Sequence, residues 1–316
     1  MKIDARPDMP AAHAAHWPHV VVIGGGASGV LLAAHLLRDP QAALRVTVIE
    51  GRHMLGCGVA YSTNDPRHLL NTRVANMSAF PDDPDHFRAW LERGGHAATG
   101  ACFVSRATYG AYMTALLAPL TADGRLRCVR ATCLRLTPAK GGVAAHLDDG
   151  QVIPADRAVL ATGHALPEAD PEGLVLGAWE AAPPPPSGGR VVIVGSGLSM
   201  VDQAISLMAS GHRGEIVALS RRAQLPRVHA PGQPLPLDRA EIPLGAPVSR
   251  LMAWLRAQVR RAEAQGGTWR DAVDGLRPHL SALWRALPHA DRARFLRHAA
   301  PWWEVHRHRL PPESAA

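Results

Sequence analysis

With 316 residues, 47% of them hydrophobic and 19% charged, the chain is long enough for two ordinary domains and too apolar to stay disordered. It contains no apolar run of the roughly 18 residues that a membrane helix needs, and its N-terminus lacks the apolar segment of a secretion signal, so a cytoplasmic location and no membrane partner are expected. The net charge of +7 comes from arginines scattered along the sequence, with lysine only at Lys2 and Lys140, which argues for a solvated basic surface and against a nucleic-acid partner.

Taken in chain order, His19 to Ile23 is a β-branched run that predicts a strand. GGGASG follows, then the apolar helical stretch Val30 to Leu37. Leu44 to Ile49 predicts a second strand, ending in Glu50. Ser105 is a suitable N-cap for a helix running through Tyr109, Tyr112 and Leu116 to about Leu120. From Leu126 to Leu160 several short strands separated by Gly and Asp turns predict a small antiparallel excursion, which closes on ATGH. AAPPPPSGG can continue neither a helix nor a central strand and reads as a linker ending at Gly189. A second strand, turn and helix follow as Arg190 to Val194, GSGLSM, and Val201 to Ala209, with another strand from Glu215 to Leu219. From about Val248 to His308 the periodicity predicts two or three helices. The four cysteines, Cys57, Cys102, Cys128 and Cys133, form no CxxC pair, and the C-x4-C spacing of the last two is read as ordinary buried thiols.

The chemistry is concentrated at the two glycine turns. Gly24, Gly26 and Gly29 form a GxGxxG directly after a strand and at the start of a helix. In this pattern the first glycine makes the tight turn, the second admits a pyrophosphate to the backbone, and the third lets helix and strand pack closely. Ala27 and Ser28 complete the helix end, whose free N–H groups and dipole favour an anion. Glu50 stands 21 residues beyond Gly29, followed by Gly51 and Arg52, where a carboxylate can accept hydrogen bonds from a ribose diol. Together these predict a dinucleotide site. The second turn has Gly195 and Gly197, then Leu198 and Ser199, but Met200 replaces the third glycine and should hold the helix further from its strand. Its following strand ends in Ser220, Arg221 and Arg222 instead of an acid. Arginine pairs with a 2′-phosphate that a carboxylate would repel, which favours NADPH over NADH. The alternative is a solvated strand end.

Four stretches together, GGGASGVLLAAHLL, GCGVAYSTNDPRHLLNTRVANMSAFPDDPDHFRAWL, ATGH and VVIVGSGLSMVD with ALSRR, carry a resemblance. The chain resembles bacterial FAD/NAD(P)-binding proteins of the two-dinucleotide-binding flavoprotein superfamily, near the N-hydroxylating flavin monooxygenases. The likeness runs from about His19 to Arg222 and resumes at WWEVHRHRLPPE. It implies FAD contacts at Tyr61, Ser62, Asn71, Arg73 and Met77, for Arg73 alongside the reading of a surface salt bridge. By the same likeness, backbone near Thr132 or Cys133 reaches the adenine, and Thr162 and Gly163 of ATGH mark the crossing between domains. Two departures stand out. No Gly-Asp motif or second ATG-like strand end follows Gly197, so the chain reads as shortened at its C-terminal end relative to that family. The F-x-G-x3-H-x3-W/P fingerprint of Baeyer–Villiger enzymes is also absent.

The resulting expectation is an α/β fold with two Rossmann-like dinucleotide-binding domains and a C-terminal helical segment. Residues 1–165 would bind FAD, 186–245 would bind NAD(P)H, and 246–316 would pack as helices on the latter. The resemblance implies that NADPH reduces FAD, and that a small-molecule substrate and molecular oxygen or another acceptor complete the reaction. A reductase without oxygen insertion and a non-catalytic nucleotide-binding protein are the alternatives, and no catalytic residue or metal ligand is singled out.

Overall fold

The computed structural model describes residues 17–164, 170, 172, 175–177, 179 and 187–316. Residues 181–186 of the expected Pro-rich linker therefore lie outside the described residues, as do residues 1–16 and 165 of the expected FAD domain. The described residues fall into two compact units. The first lies within 1–66, 77–99 and 104–169, and the second within 67–76, 100–103 and 170–316.

The first unit is built on a parallel sheet of four strands: β1 (His19–Ile23), β2 (Arg45–Ile49), β3 (Leu126–Val129) and β7 (Arg157–Leu160), in the order β3-β2-β1-β7. Helix α1 (Ala27–Leu36) crosses from β1 to β2 and buries Val30, Ala33 and Ala34. The buried Arg125 fixes the chain just beyond this helix, donating from Nη2 to Leu37 O and from Nη1 to Asp39 O. Between β3 and β7 the chain makes an antiparallel sheet of β4 (Cys133–Ala139), β5 (Gly142–Leu147) and β6 (Val152–Ala155). Its Ala145, Leu147 and Ile153 share one core with Val21, Ile23 and Ile49 of the parallel sheet. This corrects the expected excursion, because its first and last strands belong to the parallel sheet and only the middle three pair antiparallel.

Helices α2 (His86–Arg93) and α3 (Arg106–Ala115) join through aromatic contacts, Phe87 edge-on to Tyr109 and tilted against Tyr112. Ser105 caps α3 as expected, its Oγ accepting from Thr108 N at 3.1 Å. The helix ends at Ala115 instead of continuing to Leu120, and Pro119 opens a separate turn, α4 (Ala118–Ala122). A proline ring clashes with the carbonyl four residues back, here that of Ala115, so one continuous helix is excluded.

The second unit holds a two-stranded parallel sheet of β8 (Val191–Val194) and β9 (Ile216–Leu219), connected by α5 (Leu198–Ala209). Val192, Val194 and Leu219 are exposed on it. Five helices follow among the described residues, not two or three: α6 (Val248–Ala264), α7 (Trp269–Leu276), α8 (Leu280–Ala286), α9 (His289–Arg294) and α10 (Ala300–Arg307). The 3.6-residue pattern continues across the breaks, but Gly266, Gly267, Pro278 and Pro288 interrupt the backbone, and a π-helical turn at Phe295–Ala299 leads into α10. The segment after α10 returns to the chain before α6, where Arg227 and His229 exchange backbone hydrogen bonds with Leu310. Beneath it Arg309, 1% exposed, is ion-paired with Asp274.

Candidate functional site: the first glycine turn

Strand β1 has β2 on one side and β7 on the other, so the chain leaves it in opposite directions, and the crevice at the carboxyl ends of such strands is where open α/β sheets bind ligands. The turn at that crevice is dictated by its glycines. Gly24 has φ +106°, and a Cβ there would stand 2.3 Å from Ala161 O. A Cβ on Gly29 would stand 1.9 Å from Gly24 O. Gly26 is the N-cap of α1 with no side-chain cap, so the amides of the first helical turn, including those of Ala27 and Ser28, lack the usual capping oxygen.

Glu50 completes the turn. Its Oε2 accepts from Gly25 N at 2.8 Å and its Oε1 from Arg52 N at 2.9 Å, which anchors the carboxylate beside the turn. Each oxygen keeps a lone pair for a hydroxyl. Next to it, a Cβ on Gly51 would stand 2.6 Å from Thr132 Oγ1, so these two expected contacts are brought together. Thr132 itself has its amide on Asp148 Oδ1 (3.0 Å) and its carbonyl on Asp148 N (2.9 Å), while Cys133 opens β4 opposite Leu147. Thr162 and Gly163 are exposed just past β7, with Gly163 at φ +68°. An FAD adenosine diphosphate fits this donor set: uncapped helix amides for the pyrophosphate and an anchored carboxylate for the ribose.

Of the contacts implied by resemblance, Tyr61, Ser62 and Met77 lie in the first unit. The ring of Tyr61 stands edge-on to Tyr109 at 4.9 Å and Ser62 Oγ donates to Val59 O at 3.3 Å, while Met77 is half-buried. Asn71 and Arg73 lie in the second unit, where His229 Nε2 bonds Asn71 O at 3.0 Å and Arg73 Nη2 donates to Ala230 O at 2.9 Å. Arg73 therefore makes a carbonyl contact, not a surface salt bridge. Sequence reasoning passed over Gly25 and Gly58. A Cβ on Gly25 would meet Leu55 at 2.5 Å and Glu50 Cβ at 2.8 Å, and Gly58 (φ +52°) lies against Gly26. The GGG run and the GCG at 56–58 were the available signals.

The second turn has a different environment. Gly195 (φ +122°), Gly197, Leu198, Ser199 and Met200 line a cavity of about 430 Å³ that Glu304, Val305 and His308 of the C-terminal segment also line. The Glu304 carboxylate lies 2.6 Å from His308 Nδ1 and opposes an anion at this turn. Burial holds the His308 pKa below its usual range despite that neighbour. Ser220 Oγ is 2.8 Å from Ser196 Oγ. Arg222 donates to Arg297 O and His298 O, so this guanidinium is already engaged with the π-helical turn, while Arg221 is exposed. One further reading needs correction. Cys128 is exposed and Cys133 half-exposed, and all four cysteines are free, so the C-x4-C pair is not a pair of buried thiols.

Residues 21–165, just under half of the chain, match the family model described as FAD-NAD(P)-binding. That match covers most of the first unit and takes in residues 67–76 and 100–103 of the second. No curated protein matches the sequence. Among solved structures, the chain is similar to a flavin-containing monooxygenase from Stenotrophomonas maltophilia (20% identity, TM-score 0.45, covering 65% of this chain and 59% of that one). It is also similar to a cyclohexanone monooxygenase from Rhodococcus sp. Phi1 bound to NADP+ (18%, TM-score 0.45, 78% and 45%). A third is the bacillithiol disulfide reductase Bdr (YpdA) from Staphylococcus aureus (17%, TM-score 0.44, 64% and 57%). The chain spans less than two thirds of each of these proteins, and at such scores the likenesses bear on neither activity nor substrate. No described helix is long and apolar enough to cross a membrane.

Proposed function

We propose that the chain is an FAD-dependent, NADPH-using oxidoreductase with monooxygenase-like chemistry, acting in the cytoplasm on a small molecule with oxygen or another acceptor. The observation that carries this reading is the first turn: three backbone-limited glycines, an uncapped helix end and the anchored Glu50, inside the FAD-NAD(P)-binding match. FAD, when bound, supplies the hydride and electron chemistry, and the protein supplies position and electrostatics. In this role Gly24 and Gly29 set the approach of the pyrophosphate to the α1 amides, Glu50 holds the ribose, and Gly51 with Thr132 closes the adenine end. Domains of 1–165 for FAD and 186–245 with 246–316 for NADPH belong to the same proposal.

A second reading is favoured by Glu304 in the second cavity and by Arg222 on helix carbonyls: a protein that binds FAD without turning over NADPH. One experiment separates the two. The absorption spectrum of the purified protein is recorded before and after anaerobic NADPH. A flavin band that bleaches supports the oxidoreductase, a flavin band that does not bleach supports the second reading, and no flavin after reconstitution with FAD defeats both.

A further inference from the structure

The second unit contains a cavity of about 670 Å³, within the range of small-molecule sites. Arg73, Arg277 and Arg307 line it, with Asp274 as the acid among them. Three guanidiniums against one carboxylate leave an excess of two positive charges before any histidine is counted. Asp274 is already paired through Oδ1, which accepts from Arg277 Nε at 2.8 Å and from the buried Arg309. The three guanidiniums keep spare donors. A guanidinium has five N–H donors. Arg73 uses Nη2 on Ala230 O, and its Nε is buried with no hydrogen-bond partner among the described residues. Arg277 uses Nε and Nη2, the latter on Arg307 O. Arg307 reaches Glu304 only at 3.5 Å.

The cavity's apolar lining is Pro234, Leu235, Pro236, Leu237 and Pro278. Leu235 is fixed there because Gly275 leaves room for its carbonyl, which a Cβ would meet at 2.1 Å. Arg307 also lines a second cavity of about 400 Å³, whose walls include Trp254, Leu255, Trp284 and Trp303. His229, another lining residue, has its pKa pushed down by burial to about 4 and is neutral at pH 7, with Nε2 donating to Asn71 O. Partly exposed cationic forks with spare donors, in a cavity that proline and leucine also line, suit an organic anion with an apolar body better than a bare inorganic ion.

We propose that this cavity binds a small organic carboxylate with an apolar body, its acid group held by Arg73, Arg277 and Arg307. That this ligand is the substrate rests on the oxidoreductase reading, whereas the binding itself does not.

The test uses the full chain with octanoate as probe, titrated by isothermal calorimetry and by fluorescence of the neighbouring tryptophans. Saturable octanoate binding is expected, with 1-octanol at least ten-fold weaker and inorganic phosphate not competing. Arg73→Gln and Arg307→Gln are each expected to weaken octanoate about ten-fold while leaving octanol unchanged, a readout that separates charge recognition from a general loss of structure. Equal affinity for octanol and octanoate, competition by phosphate at similar concentration, or loss of octanoate binding when the protein is loaded with FAD would each overturn the proposal. Flavin content is read on the same sample, so a failed flavin reading and a failed carboxylate site are told apart.

Discussion

The chain builds strand, glycine turn and helix twice, and the two copies differ in how much of the protein depends on them. At the first turn a Cβ on Gly24 or Gly29 meets backbone within 2.3 Å, whereas at the second a Cβ on Gly195 or Gly197 meets nothing within 4 Å. The first strand is buried between two parallel neighbours, and the second is half of a two-stranded sheet with exposed valines. The first turn is followed by an acid that organises backbone amides, the second by arginines of which one is bound to helix carbonyls. The same local pattern thus gives a closely packed turn in one place and an open one in the other. Packing, not the motif, sets the difference.

The largest effect follows from that packing. Gly29→Ala drives a methyl into Gly24 O and should cost about 1–3 kcal/mol or more, as overpacking does, with loss of FAD retention. Gly197→Ala, in open space at the second turn, should change stability by well under about 1 kcal/mol. Thermal unfolding of the pair measures the contrast, and equal losses would break it.

Next comes Glu50→Ala, which removes the acceptor for two backbone amides and, in the proposed FAD site, for the ribose. It should weaken FAD binding by about 1–3 kcal/mol, the range for hydrogen bonds to a charged group. A flavin fluorescence titration with an unchanged Kd would place the ribose elsewhere.

A third expectation concerns pH in the second unit. His229 falls from its ordinary 6.5 to about 4 because burial disfavours its cation. The unfolded chain therefore binds more protons between those values, so stability should be present above about pH 6.5 and be lost as pH falls toward 4. Because the ring is only part-buried, about 1–2 kcal/mol is a fair size after solvent screening. The loss should be absent in His229→Gln, as melting temperatures from pH 7 to 4 would show.

The smallest expected effect is at the second strand end. Arg221→Ala should raise the Kd for NADPH up to about ten-fold with NADH unchanged, while Arg222→Ala should spare nucleotide affinity because its donors serve Arg297 and His298. Nucleotide titrations of the two variants that came out alike would remove the distinction.

The sequence was legible wherever one residue type meets a local steric demand. The glycines of the first turn, Glu50 at the end of its strand and Ser105 as a cap all sit where the pattern places them. What stayed hidden depends on partners far along the chain. No local signal told that Leu126 to Val129 and Arg157 to Leu160 join the parallel sheet while the three strands between them do not. Nor did Arg222 announce its carbonyl partners some 75 residues away. The tie of Asn71 and Arg73 to His229 and Ala230 is of the same kind. The breaks in the C-terminal helices were readable from Gly266, Pro278 and Pro288, but the apolar period runs across them and masked them.

The claim on which the rest depends is that the first turn holds FAD, and flavin absorbance after reconstitution tests it most directly, on wild type beside Gly26→Val. The valine would press on Gly58 Cα, 3.3 Å from the added Cβ, and cover the uncapped end of α1. Stoichiometric FAD in the wild type and none in the variant, with unchanged far-ultraviolet circular dichroism, is the predicted result. A wild type that takes up no FAD, or a variant that retains it in full, would contradict the account.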